Sequence, residues 1–341
     1  MSRPDTTAVE FTSSESYVAD SCEPVKLAVA NGQIEITAAG RGAYPGVPLP
    51  DDALPELTSV GAWNVARAQD WGLDWHRNEG LELTFVAAGK LDFAVSTSSH
   101  VLRRGGVTIT RPWQPHRVGG PNVTPSRLIW VILDLGVQRP NQPWVWPSWL
   151  LLDRDAQERL TRLLRGIERP VWDADAELVR AFERLPRSLA GGRANMSQLA
   201  LGINEVLVAL LDVMERERPI LDSRLASSER TIELFLHDLP HRLAEPWTLE
   251  TMSAACGIGR TRFAHYVHAL TNLSPVAHLR LLRVEQAARL LAGNPALSVT
   301  DICFSCGFSS TQYFATVFRA ERHVSPLEYR MATRAREARG A

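Results

Sequence analysis

The sequence predicts a multidomain chain: an N-terminal all-β barrel or jelly roll, a helical segment after it, and an all-α C-terminal domain. Three observations carry this. Apolar and polar residues alternate between frequent turn signals from residue 25 to about 140. Helical periods of three and four take over from about 150. One short pattern is written twice, as "CGIGRTRFAHYV" (256–267) and "CGFSSTQYFATVF" (306–318). A chain of 341 residues is long enough for about two domains with separate cores. With 45% hydrophobic and 22% charged residues it reads as globular, and a disordered chain is excluded.

Taken in order, residues 1–24 form a tail with no apolar signal segment, and no stretch approaches the roughly 18 uninterrupted apolar residues of a membrane span. The expectation is a cytoplasmic protein with no membrane partner. Residues 25–145 form the β domain. There "KLAVANGQIEITA" carries an Asn31-Gly32 hairpin signal, and "LELTFVAAGKLDFAV" and "HVLRRGGVTITRPWQPHRV" read as strands joined by glycine turns. Residues 146–217 are helical, most clearly in "MSQLALGINEVLVALLDVMERERP". In it Leu199, Ile203, Val206, Leu207, Leu210, Leu211 and Met214 recur at three- and four-residue steps. That stripe must be buried, on the β domain or on a second subunit. It is wider than one packing face requires, so a homodimer through residues 197–216 is expected. Residues 218–228, "RPILDSRLASS", read as a linker and residues 229–335 as a helical domain.

The net charge of −1 conceals an asymmetry. From residue 241 onward there are twelve Arg, no Lys and seven acidic residues, a balance of +5 that leaves −6 for the first 240. A mildly basic domain joined to an acidic one is compatible with binding a polyanion. The four cysteines, Cys22, Cys256, Cys303 and Cys306, are too few and too scattered for a disulfide framework. The C-x-x-C of Cys303 and Cys306 lacks a second pair or a neighbouring His pair, so no zinc, redox role or cofactor is expected.

The repeat has a physical reading. A helix from Leu249 meets Gly257 and a second starts near Arg260; the same plan runs from Val299 through Gly307 to a helix starting near Ser310. Two helices crossing steeply through a tight turn need a small residue at the crossing, here Ser253 and Cys303, and a glycine that accepts positive φ. One extra residue after the second turn aligns Phe263 with Phe314, and these, with Phe318, read as core. Between the copies Ser274 is an N-cap, Pro275 the first helical residue and Gly293 the stop. A helix of about 17 residues is about 25 Å long and can hold the two units rigidly apart. A separation near one duplex turn, about 34 Å, would put both second helices in successive major grooves of double-stranded DNA.

"LSVTDICFSCGFSSTQYFATVFRAERHVSPLEYR", preceded by "RLLRVEQAARLLAG", resembles the C-terminal domain of the arabinose-regulator (AraC/XylS) family of bacterial transcription regulators. The resemblance implies that the residues after each turn face DNA: Arg260, Thr261, Arg262, Ala264 and His265 in the first unit, and Ser310, Thr311, Gln312, Thr316 and Arg319 in the second. Gln312 is the best base reader of these, because a carboxamide pairs with adenine N6 and N7. Arg319 is assigned to phosphate. This chain has His268 where many members carry Lys or Arg, and Thr316 where many carry a basic reader. The resemblance also implies RNA polymerase as a further partner.

"WHRNEGLELTFVAAGKLDFAV" and "LRRGGVTITRPWQPHRVG" are similar to the cupin-type sensor of that family. In cupin enzymes related positions hold a metal; the counterparts here are His76, Glu82 and His116, with Asn78 where a second His of an H-x-H pair is expected. The family's sensors usually lack the metal, so none is expected. Nine of the ten Trp lie before residue 175, among them Trp63, Trp71, Trp75, Trp113 and Trp130. Aromatic faces with a few polar groups suit a sugar-like or other small polar effector, and an aromatic core without a ligand reads the same. The effector contacts expected are His76, Glu82, Trp113 and His116, with Tyr44 on an arm, "RGAYPG", carried over from the family. The reading is therefore a non-enzymatic, ligand-responsive DNA-binding regulator: a cupin-like barrel, a helical dimerisation segment and a bipartite helix-turn-helix domain. The alternatives are a cupin metalloenzyme fused to a DNA-binding domain and a ligand-independent DNA binder.

Overall fold

A computed structural model describes residues 22–42, 44–137, 141–192 and 194–340. All but the last three residues of the expected tail lie outside that set. The chain divides into two compact units between Ser227 and Ser228.

The first unit begins with α1 (Glu23–Ala30), where a hairpin strand was expected. Pro24 sits in its first turn, and Val25 and Ala28, three apart, are buried on one face. Asn31 and Gly32 end this helix instead of turning a hairpin. Gly32 has φ +66, and the N–H groups of Asn31, Gly32 and Gln33 donate to the carbonyls of Leu27, Val29 and Ala28. The strands follow as β1 (Glu35–Gly40), β2 (Val47–Pro48), β3 (Leu57–Val65), β4 (Leu73–His76), β5 (Leu81–Val95), β6 (Ser98–Arg103), β7 (Gly106–Thr110), β8 (His116–Val118) and β9 (Ser126–Leu133). Then come α2 (Arg154–Gly166), β10 (Val171–Asp173), α3 (Ala176–Arg184) and α4 (Met196–Glu217). The sheet order is β10-β7-β5-β9-β3-β1-β2, with β6 on β5, and β8 joining β4 to β5.

The fifteen-residue β5 organises this unit. Gly89, expected at a hairpin turn, lies inside the strand with φ +78, and a Cβ there would come within 2.1 Å of the Pro125 carbonyl oxygen. Glycine lets the strand bend rather than reverse. Its first half pairs with β7 and β9 and its second with β6 and β8. Both faces of the central strands are covered, so they are apolar almost throughout. On one face Trp63, Val86, Phe93, Leu128, Trp130 and Ile132 fill the barrel interior. On the other, Leu81, Leu83, Phe85, Ile129, Val131 and Leu133 pack against the helices, with the Phe85 and Phe182 rings stacked at 5.3 Å.

The α4 stripe is consumed on this outer face. Leu199, Ile203, Val206, Leu207, Leu210, Leu211 and Met214 are all buried within the same unit. The basis for a seam at Leu207 and Leu211 is therefore corrected: the β domain and its helices take the stripe, and the exposed apolar residues of α4 are Leu201 and Val208. By length and composition α4 is the one described helix that passes for a membrane span; its packing is that of a core helix. The expected linker also differs, since residues 218–227 pack on the first unit, where the Asp222 N–H donates to the Gly166 carbonyl at 2.6 Å.

The second unit holds α5 (Ser228–Asp238), α6 (Leu249–Ala255), α7 (Arg260–Thr271), α8 (Pro275–Gly293), α9 (Val299–Ser305), α10 (Thr311–Arg322) and α11 (Pro326–Gly340). It has two cores. Ile232, Phe235, Met252, Phe263, Val267 and Leu279 make one; Val284, Leu291, Ile302, Phe314, Val317 and Phe318 make the other. Phe263, Phe314 and Phe318 are fully buried, where truncation to Ala costs about 3–5 kcal/mol. Cys303 and Cys306 are free, buried members of the second core, and burial pushes the Cys306 thiol up to about 11. A thiol so held is inert packing.

Candidate nucleic-acid interface and barrel cavity

Each copy of the repeat is a seven-residue helix, a tight turn and a twelve-residue helix. Gly257 and Gly307 take φ +61 and +81, and Ser253 and Cys303 are buried at the crossings. The first helices are fixed by capping boxes, Thr248 with Thr251 and Ser298 with Asp301. The second helices then point polar faces outward.

On α7, Arg260, Thr261, Arg262 and His265 are exposed and Ala264 half-buried. Arg260 pairs with Glu250 at 3.0 Å, and the Arg262 guanidinium lies over the Tyr266 ring, 5.5 Å from its centroid. On α10, Thr311, Gln312, Thr316 and Arg319 are exposed. Ser310 is half-buried and serves as N-cap, its hydroxyl accepting from the Tyr313 N–H at 3.2 Å. The Thr316 hydroxyl donates to the Gln312 carbonyl at 3.0 Å, which leaves its methyl outward. Arg319 stands 3.5 Å from Glu328. The Gln312 carboxamide makes no hydrogen bond among the described residues, so both its donor and its acceptor are available. Sequence reasoning missed Tyr313, half-exposed beside Gln312; an aromatic next to two core phenylalanines reads as core.

In the first unit, strand register brings the expected polar residues together. Glu82 on β5 lies opposite Ile132 on β9 and Thr110 on β7, pointing into the barrel, while His76 on β4 pairs with His116 on β8. The His76 and His116 rings are 4.1 Å apart, and the donor atoms of His76, Glu82 and His116 fall within 4.8 Å of one another. His76 Nδ1–H donates to the Asp74 carbonyl at 2.7 Å and His116 Nδ1–H to that of Gln114 at 3.0 Å. Because a carbonyl only accepts, this tautomer leaves each Nε2 as the inward nitrogen. His116 Nε2 comes within 2.9 Å of Glu82 Oε2 without the alignment of a hydrogen bond.

Asn78 and Thr110 donate to Glu82 Oε2. Burial pushes the Glu82 carboxyl up, but His116, His76 and Thr110 override it, and the group titrates below the usual carboxylate range. Burial pulls the His76 imidazole down to about 4, with His116 adding to the effect.

The cavity beside these groups has a volume of about 50 Å³ and is walled by Trp63, Trp130, Leu128, Ile132, Tyr44 and His76. The Tyr44 hydroxyl faces Glu79 at 3.2 Å and Asn78 at 3.4 Å. Trp113 is not part of the wall: its backbone N–H donates to the Asn78 carbonyl and its indole to the Val137 carbonyl. Its φ of +63 is that of a turn rather than a strand, and the expected effector contact through its aromatic face is corrected. Trp63 and Trp130 take its place, with their centroids 6.3 Å apart. Period-two alternation with Leu128 and Ile132 was the signal for Trp130. Gly61 makes room for its ring, since a Cβ there would meet it at 2.7 Å.

Comparison with known proteins is consistent with both regions. Residues 252–332 match a helix-turn-helix domain model and residues 66–132 a cupin domain model. The HTH-type transcriptional activator RhaS of Enterobacter sp. (strain 638) is 26% identical over 159 residues, 47% of this chain and 56% of that protein. The HTH-type transcriptional regulator MtrA of Neisseria gonorrhoeae is 33% identical over 86 residues, 25% of this chain and 28% of that protein. The chain thus spans about half or less of the curated relatives it matches. Among solved structures, the DNA-binding domain of AdpA, a global transcriptional factor in complex with a target DNA, is 32% identical, covering 31% of this chain and 94% of that one with a TM-score of 0.30.

Proposed function

We propose that this chain, in which a cupin domain is joined to a helix-turn-helix domain of the AraC type, is a cytoplasmic, non-enzymatic transcription regulator that binds operator DNA under the control of a small effector. One observation carries the reading: two separately cored helix-turn-helix units each present a polar helix, with Arg260, Arg262 and His265 on one and Thr311, Gln312 and Arg319 on the other. A helix so placed inserts its first turns into the major groove, where side chains reach base edges. Selection of bound duplexes from a random-sequence pool, followed by titration against scrambled controls, tests it. Equal affinity for selected and scrambled duplexes would sink sequence-specific regulation.

The barrel is the effector site in this reading, with His76, Glu82 and His116 as the polar end and Trp63 and Trp130 as the aromatic walls. A cavity of about 50 Å³ is well below the roughly 150 Å³ that admits benzene. A sugar-sized effector therefore enters only if the cavity wall, of which Tyr44 is a part, moves. A homodimer, with RNA polymerase as a further partner, completes the proposal; a seam on α4 has Leu201 and Val208 to offer.

The convergence of His76, Glu82 and His116 favours a second reading, a metal centre. The donor set fits: two imidazoles oriented by carbonyls and one carboxylate make three ligands. Asn78 supplies no fourth ligand and instead donates to Glu82. A bound cation would hold Glu82 and both Nε2 atoms together and polarise a polar effector. Metal analysis of purified protein tests this reading: one equivalent lost in His116→Ala supports it, and metal-free protein that still responds to effector excludes it.

A further inference from the structure

We propose that Arg283 is a positioning residue that locks the two helix-turn-helix units at one separation, and so determines the half-site spacing this chain accepts. The inference rests on the DNA-binding reading above. The two cores of the second unit share α8 but no residue: Leu279 belongs to the first and Val284, Ala287 and Leu291 to the second. A helix alone fixes the distance between its ends, yet each unit could still swing about its own junction with α8.

Arg283 lies between those two sets of contacts. Its Nε donates to the Leu243 carbonyl at 3.0 Å and its Nη2 to the Glu245 carbonyl at 2.7 Å, so the guanidinium holds the loop that leads into α6. The opposite side of the same point is the turn of the second unit. A Cβ on Gly307 would come within 2.0 Å of the Leu243 carbonyl oxygen and 2.7 Å of Arg283 Nη2. The turn, with φ +81, therefore sits directly on the arginine and on the carbonyl it holds. First unit, connecting helix and second unit meet at this contact. Swinging the first unit breaks charge-assisted bonds made through a planar fork, whose geometry a lysine does not reproduce, and swinging the second moves its Gly307 turn off or into the arginine packed against it.

Inserting one base pair between half-sites moves the second groove about 3.4 Å along the axis and about 35° around it. A locked pair cannot follow both changes; a hinged pair can.

The experiment uses the full chain and Arg283→Met, which keeps the apolar stem, with Arg283→Lys as the milder variant. The duplexes carry a site selected from random sequence, with its half-site spacing changed by one base pair either way. Spin labels at exposed His268 and Ala320 report the spread of distances between units without DNA. We expect the wild type to lose roughly tenfold or more in affinity per base pair of altered spacing and to give a narrow distance distribution. Arg283→Met should reduce the spacing penalty to about threefold or less, broaden the distribution and leave single half-site affinity unchanged, with Arg283→Lys between. An unchanged spacing penalty with a narrow distribution in Arg283→Met overturns the proposal. So does an equal loss on single half-sites, which marks a folding role. If no duplex is bound specifically, the regulator reading fails, and the label distances still decide whether Arg283 locks the units.

Discussion

Replacing Gln312 by Ala separates base reading from mere adhesion. The side chain is exposed on α10 and its amide bonds to nothing among the described residues, so its removal costs the free protein no contact. Ala is also the better helix former by a few tenths of a kcal/mol, and the melting temperature should hold or rise slightly. The loss appears only on DNA. A paired contact to adenine is worth roughly 1–3 kcal/mol, which is about 5- to 150-fold in affinity for the cognate duplex. Scrambled duplex should be bound as before, and preference at one base pair should flatten. Arg319→Ala is the contrasting control. Its pair with Glu328 is exposed on both sides, so the fold loses little, while on DNA a phosphate contact disappears and the freed carboxylate repels the backbone. All sequences should weaken alike, and the slope of log affinity against log salt should fall by about 0.9. Titrations of both variants on cognate and scrambled duplexes at several salt concentrations decide the matter. Equal losses on both duplexes for Gln312→Ala would refute the base-reading role.

Leu207→Glu with Leu211→Glu should unfold the first unit rather than separate subunits, because both side chains are buried inside it and unpaired charges there are costly; a folded monomer by circular dichroism and sedimentation would contradict the assignment. Acid should weaken the first unit in two overlapping stages. His76, pulled down to about 4 from 6.5, takes its proton first in the unfolded chain, so stability falls as pH drops from about 6.5 to about 4, by an order of about 3 kcal/mol. Glu82, held below 4.5, adds a loss as pH falls from that value through its folded one. His76→Gln should remove most of the upper stage in urea titrations against pH, and an unaltered slope would place the titration elsewhere. Trp63→Phe removes an indole N–H that is buried without a partner, so stability without effector should be equal or higher; a clear loss on thermal melting would mean the N–H is satisfied. Trp113→Ala should leave the effector response intact, since its ring is bonded to Val137 outside the cavity.

The helix-turn-helix domain was more legible in the sequence than the barrel, for a physical reason. Helix ends are written locally: Ser298, Ser310 and Ser274 cap, Gly257 and Gly307 turn, and the core phenylalanines recur at helical steps, so boundaries follow from a few residues. In the barrel the same glycine has several uses. Gly89 bends one long strand instead of closing a hairpin, because only the carbonyl of Pro125, thirty-six positions away, says that the backbone passes there. Asn31-Gly32 ends a helix for which the signal lies upstream, at Pro24. His76, Glu82 and His116 were legible as a group, whereas Trp113 was not separable from Trp130 until backbone φ and register placed one ring outside and the other inside. The α4 stripe was legible as a buried face, but its width was taken to call for a second subunit, and the β domain and its helices cover it instead, since apolar area does not state which surface covers it.

Whether two units held in fixed relation grip DNA together is read by hydroxyl-radical footprinting on a site selected from random duplexes. Two protected segments should lie on one face of the duplex, with centres about 10 base pairs apart, both weakening steeply as salt rises. Mutating Gln312 should clear one segment's base preference while leaving the other. A single protected segment, or two with no fixed separation across selected sites, would contradict it.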